Sequence, residues 1–231
     1  SWLSLYLCLA VASGGQFLDE KCNKAGVLYI ALEDSERRLK ERIERILSIE
    51  PEEMRTIPDN FYYLLNLQRL DRGGYNQIEK YIQEHKEIKL IIIDTLKRIA
   101  KRNTKTNDFD NDYDNGALLQ KLALKYNVCI GAIVHTRKAR SEESVFDEIS
   151  GTVGTIAAAD TIMLMKKGKS MSKLHITGRD IEEKELLISF DKGIWKSIGE
   201  EEKIQLGALT VDWSKFTISE MSKKEIVEVL M

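Results

Sequence analysis

Ile88-Lys89-Leu90-Ile91-Ile92-Ile93-Asp94 is the stretch on which the fold turns. Past Lys89 it is aliphatic at both alternating positions, it has the length of a strand, and it stops on a carboxylate. A strand apolar on both sides must be covered on both sides, which is the situation of a parallel sheet between layers of helices. Working outward, Val27-Leu28-Tyr29-Ile30-Ala31-Leu32 repeats the pattern and ends in Glu33-Asp34-Ser35, and Val128 to Val134 (VCIGAIV) reads as a third buried strand. Phe61 to Leu67 reads as a further strand after the turn Pro58-Asp59-Asn60. Helical patterns lie between them. Leu39, Ile43, Ile46 and Leu47 recur at helical spacing after Ser35, with Glu36/Lys40 and Glu41/Arg45 as i,i+4 pairs on the wet side. Tyr75 to His85, following Gly73-Gly74, and Gly116 to Tyr126 read as two more helices. Asn103 to Asn115 (NTKTNDFDNDYDN) has no apolar period and many turn formers, and is expected to be a mobile loop. This alternation predicts an α/β domain with a parallel sheet.

The ends of the chain read differently. Trp2 to Ala12 (WLSLYLCLAVA) is apolar all round and is followed by Gly14-Gly15, as in a helix buried against a sheet. It could pass for a signal peptide, but it has no basic segment before it and is too short to span a bilayer. Thr161 to Met165, Lys173 to Thr177 and Glu185 to Asp191 are short strand candidates, with Ile194-Trp195-Lys196 pairing next, and are expected as antiparallel additions at one edge. Beyond Gly199 the sequence turns polar, and Ser222-x-x-Glu225 is a capping box ahead of Ile226, Val227 and Leu230. The expected division is a core over 1–199 and an extension over 200–231, the latter resembling the start of a helix-turn-helix.

Composition narrows the function classes. Lys and Arg total 35 against 37 Asp and Glu, a net charge of −2, so no global positive field draws the protein onto nucleic acid or an anionic membrane. The 3 cysteines are far apart and never spaced as C-x-x-C, which argues against a disulfide framework or a zinc site and for a reducing, cytoplasmic setting. Asp108, Asp110, Asp112 and Asp114 alternate like calcium ligands, but the Gly and Glu of a calcium-binding loop are missing.

Ligands of open parallel sheets bind at the carboxyl ends of the strands. Glu33 follows the first aliphatic run, Asp94 ends IKLIIID, and His135-Thr136-Arg137-Lys138 follows VCIGAIV. One acid can hold Mg²⁺, a second can activate an attacking water, and a histidine can sense a terminal phosphate, which are the parts phosphoryl transfer needs. Each of these residues could equally cap its strand. The phosphate cradle G-x-x-x-x-G-K-[ST] occurs nowhere in the 231 residues, although Ser1 stands at the head of the apolar helix where the last residue of that motif would stand.

The segments VLYIALEDSERRLKERI, LIIIDTLKRIA, NVCIGAIVHTRKAR and ITGRDIEEKELLISFD, in this order, resemble the RecA-like ATPases of the RepA type, relatives of the DnaB replicative helicases. The resemblance implies a three-layer α/β sandwich with a mostly parallel central sheet and antiparallel strands at the C-terminal edge. It further implies ATP and Mg²⁺ as cofactors, a homo-oligomer built as a hexameric ring, DNA as partner, most simply single-stranded, and no membrane. By the same resemblance Ser1 and Asp94 hold Mg²⁺ with the nucleotide, Glu33 polarises the attacking water, His135 is the phosphate sensor, and Arg179 is a finger completing a neighbour's site. The family's finger usually carries a Lys two residues earlier, where this chain has Thr177. Lys97, Arg98, Lys101 and Arg102 in one stretch, and Arg137, Lys138 and Arg140 in another, would meet DNA phosphates. Three functions stay open on these residues: a replicative-helicase motor, a RecA-like DNA-binding scaffold without turnover, and a recombinase-type or regulatory ATPase.

Overall fold

Parity along β3 (Gly26–Ala31) organises the molecule. In the computed structural model every residue of this strand is buried, and its side chains alternate between two cores. Val27, Tyr29 and Ala31 pack with α1 (Trp2–Ser13) and α2 (Glu36–Leu47). Leu28 and Ile30 pack on the opposite side with residues of α3 (Gly74–Glu84) and α4 (Asp108–Tyr126). The structure describes residues 1–50, 52, 55–101, 108–135, 157–168 and 171–200.

The central sheet has the order β4-β3-β5-β6, all parallel, with β4 at Phe61–Leu64, β5 at Ile88–Asp94 and β6 at Cys129–Ala132. Helices on both faces make the expected three-layer α/β sandwich. A two-stranded hairpin, β1 (Gln16–Phe17) and β2 (Glu20–Lys21), follows α1. It turns through Leu18 and Asp19 at φ 49° and 68°. The usual glycine or asparagine of such a left-handed pair is absent, so no local pattern announces the hairpin. The antiparallel strands expected on the C-terminal side form a second sheet, β10-β9-β8-β7, from β7 (Thr161–Lys166), β8 (Ser172–Gly178), β9 (Lys184–Asp191) and β10 (Ile194–Glu200). Leu18 of the small hairpin packs into its core beside Leu174, Ile176 and Ile188.

The apolar start is, as expected, a helix seated on the sheet, with Leu5, Cys8 and Ala12 fully buried and Gly14 closing it in the left-handed conformation at φ 75°. No helix among the described residues is long and apolar enough to cross a membrane. Two expectations need correction. Asp108 to Asn115, expected as loop, forms the first turns of α4. Tertiary hydrogen bonds replace the missing apolar period: buried Asn115 accepts from Lys101 N at 2.7 Å and donates to Lys101 O at 3.1 Å, and Asp114 pairs with Lys101 Nζ at 3.0 Å. Several Asp residues in the opening turns also suit the positive end of the helix dipole. In addition, β6 is shorter than expected and only partly buried, because it pairs with β5 alone among the described residues.

Candidate active site

The same parity that builds the two cores selects which polar groups meet. β3 and β5 run in register with Tyr29 beside Ile92 and Ala31 beside Asp94, so Asp94 lies on the face covered by α1 and α2, the face to which Tyr29 points. The Tyr29 hydroxyl donates to Asp94 Oδ2 at 2.7 Å in a buried setting. Burial pushes the Tyr29 hydroxyl well above its ordinary pKa, which favours the protonated, donating form. Helix α1 points its N-terminus at the same spot. The Ser1 main-chain nitrogen contacts Asp94 Oδ2 and lies 3.2 Å from the Tyr29 hydroxyl, while Ser1 Oγ lies 2.9 Å from Ser4 Oγ.

Glu33, two residues beyond the end of β3, is exposed. Its carboxylate is tied to the neighbouring strand, because Thr95 Oγ1 donates to Glu33 Oε1 at 3.0 Å. Leu32 N donates to Asp94 O at 2.8 Å, which carries the pairing of the two strands right up to the site. The Asp94-Thr95 peptide is cis. Two carboxylates, a threonine and a tyrosine hydroxyl, and the open N–H groups of a 12-residue helix thus converge at the carboxyl edge of the sheet. A helix N-terminus there favours an anion, and hard oxygen donors favour Mg²⁺ over softer metals. Mg²⁺ is commonly held by one or two protein oxygens together with substrate phosphates, and Asp94 Oδ1 and Ser1 Oγ are oxygens of that kind.

The remaining expected residues are distributed as follows. His135 is exposed three residues past β6, on the same sheet edge, since Ala132 is in register with Ile93. Arg179 is elsewhere. Ile176 of β8 lies opposite Lys184 of β9, so Arg179 sits at the end of the second sheet away from the Asp191–Ile194 turn. That turn is the end that touches α1, through Trp2 and Phe190 with ring centroids 5.7 Å apart. Within its own chain Arg179 pairs with Asp160 at 3.3 Å and donates to Ala157 O at 3.1 Å. Lys97 and Arg98 are exposed on the short 3₁₀ turn after β5, whereas Lys101 is engaged by Asp114. Arg102, Arg137, Lys138 and Arg140 lie outside the described residues, as does the extension beyond 200.

Tyr29 and Thr95 are the site residues that sequence reasoning missed. A lone tyrosine inside an aliphatic strand was the available signal, since a buried hydroxyl needs a partner; for Thr95 only the strand register supplies one.

A mainly parallel sheet between helices, with strand-end acids beneath a helix N-terminus, defines the architecture of the RecA-like P-loop ATPases, the group that includes the DnaB-type helicases. A family model described as an AAA domain matches residues 1–141, and the chain belongs to that family. Among solved structures it is similar to one described as an ATPase domain, with 13% identity, a TM-score of 0.66, and coverage of 86% of this chain and 81% of that one. It is similar to a DnaB-like replicative helicase described with its interactions with primase, at 13% identity and a TM-score of 0.62, covering 84% of this chain and 56% of that one. The RadB recombinase is similar at 13% identity and a TM-score of 0.53, with 85% and 86% covered. At this identity the likenesses concern the fold. No curated protein matches the sequence.

Proposed function

We propose that this chain is the ATP-hydrolysing core of a DNA-acting motor of the RepA/DnaB kind. The observation that carries the reading is the convergence of Glu33 and Asp94 on adjacent parallel strands, with Thr95 bridging toward Glu33 and the head of α1 over Asp94. In this reading Glu33 accepts the proton of the attacking water, and Thr95 ties its carboxylate to the strand end that carries Asp94. Asp94 and Ser1 Oγ would hold Mg²⁺, and the α1 N-terminus would receive phosphate oxygens. Bound Mg²⁺ would neutralise charge on the phosphates. His135, on the same edge, would report the terminal phosphate to the following segment.

No phosphate cradle of the form G-x-x-x-x-G-K-[ST] occurs in the 231 residues. The position of Arg179 supports a role in trans. It lies about 25 Å, the length of an eight-residue strand, from the end of the second sheet that touches α1, so it would serve a neighbouring subunit of a ring. Single-stranded DNA would meet Lys97 and Arg98, with Lys101, Arg102, Arg137, Lys138 and Arg140 adding charge. The test is Glu33→Gln in the complete natural protein. DNA-stimulated ATP hydrolysis is expected to fall on the order of 100-fold or more with nucleotide binding retained, and unchanged hydrolysis would sink the reading. The fold likeness to RadB, which extends over most of both chains, keeps a recombinase-type ATPase as the second reading. Electron microscopy separates the two, closed rings favouring the motor and filaments the recombinase type.

A further inference from the structure

Glu33 is held at its main chain as well as at its carboxylate, and the group that holds it is assembled around its neighbour Asp34. Arg38 Nη2 donates to Glu33 O at 2.6 Å, and the same guanidinium is fixed by Asp34 through Nε to Oδ1 at 2.6 Å. The other oxygen of Asp34 accepts from Arg42 Nη1 at 2.5 Å. The Asp34 side chain is only 5% exposed and that of Arg42 13%, so this is a desolvated carboxylate between two guanidiniums. Such an arrangement is a costly way to join a loop to a helix, because apolar residues of similar volume are often as stable. Arg42 is also incompletely satisfied, with its Nε buried and without a partner among the described residues. Its guanidinium lies 4.7 Å from the ring centroid of Trp2, the residue that follows Ser1 at the head of α1. The two structures that flank the site, the loop carrying Glu33 and the helix N-terminus over Asp94, are therefore joined by one continuous set of contacts through Trp2, Arg42, Asp34 and Arg38.

We propose that Asp34, with Arg38 and Arg42, forms a positioning clamp that fixes Glu33 relative to the head of α1. The proposal rests on the reading of Glu33 as the residue that activates water. Small displacements of a reacting group cost much rate and little affinity, because binding is made by other residues.

The clamp predicts a split in the kinetics of Asp34→Asn in the complete natural protein. Turnover should fall on the order of 10- to 100-fold while the KM for ATP moves less than about threefold. The double variant Asp34→Asn/Arg42→Met removes both buried charges, so it should recover much of the lost thermal stability and none of the turnover. Hydrogen exchange at the amides of residues 32–35, read without nucleotide, should quicken in Asp34→Asn while the amides of β5 keep their protection. Unchanged exchange at residues 32–35, or turnover restored in the double variant, would overturn the clamp. If Glu33→Gln retains hydrolysis, the assignment of Glu33 fails instead, and the exchange measurement still decides whether Asp34 holds the loop.

Discussion

Tyr29 and Asp94 share a short polar contact in the buried part of the site, and the physical reason lies in solvation. A carboxylate 8% exposed keeps its charge only where donors replace water, and the Tyr29 hydroxyl is such a donor. Tyr29→Phe keeps the packing and deletes that donor, so it should cost about 1–3 kcal/mol, read as a lower urea midpoint at constant slope. Cys8 illustrates the opposite case, a group hidden with nothing to do. Fully buried in α1, its thiol is pushed far above the ordinary range by burial, so it exists as the unreactive thiol throughout the neutral range. Thiol reagents should reach Cys8 only on unfolding.

At the scale of elements, α2 is the helix most fully written in the sequence. Ser35 caps it by accepting from Arg38 N at 3.3 Å, and Leu39, Ile43 and Ile46 form its buried stripe. Ser35→Ala should cost about 1 kcal/mol and Ile43→Ala about 2–5 kcal/mol, both by denaturant unfolding. Because the cap sits beside the Asp34 clamp, Ser35→Ala tests helix stability and Asp34→Asn tests the loop. α4 lies at the other extreme. Its first turns carry no apolar stripe, and they are helical because Asn115 satisfies the main chain of Lys101. That partner is 14 residues away, and no apolar period marks the pairing.

Over the whole molecule the two sheets meet where the Asp191–Ile194 turn rests on α1. Gly193 stands there at φ 107°, and a Cβ would come within 3.0 Å of the Trp2 ring. Arg45 Nε donates to Lys192 O at 3.0 Å from the other side. Gly193→Ala should therefore lower the melting temperature by several degrees, through a strained backbone and a displaced Trp2. Subunit mixing tests the trans role of Arg179. If the finger acts in trans, mixing Arg179→Ala with Glu33→Gln protein should recover hydrolysis that neither variant shows alone, whereas a finger acting within its own subunit would recover none.

The alternation of aliphatic runs with amphipathic helices determined the parallel sheet and its covering layers, because a strand buried on both faces and a helix buried on one leave different periods in the chain. Strand ends named Glu33, Asp94 and His135 for the simple reason that polar residues must follow a buried run, and the order of four segments pointed to the family. Tertiary structure alone decided which of these groups meet. Register between β3 and β5 brings Thr95 to Glu33 and Tyr29 to Asp94. The rest of the fold sets Arg179 at the far end of another sheet and buries the Asp34 carboxylate, whose partners Arg38 and Arg42 are close in sequence. Such contacts depend on the three-dimensional course of the chain, much of it on pairing between residues tens of positions apart, and that pairing leaves no local trace.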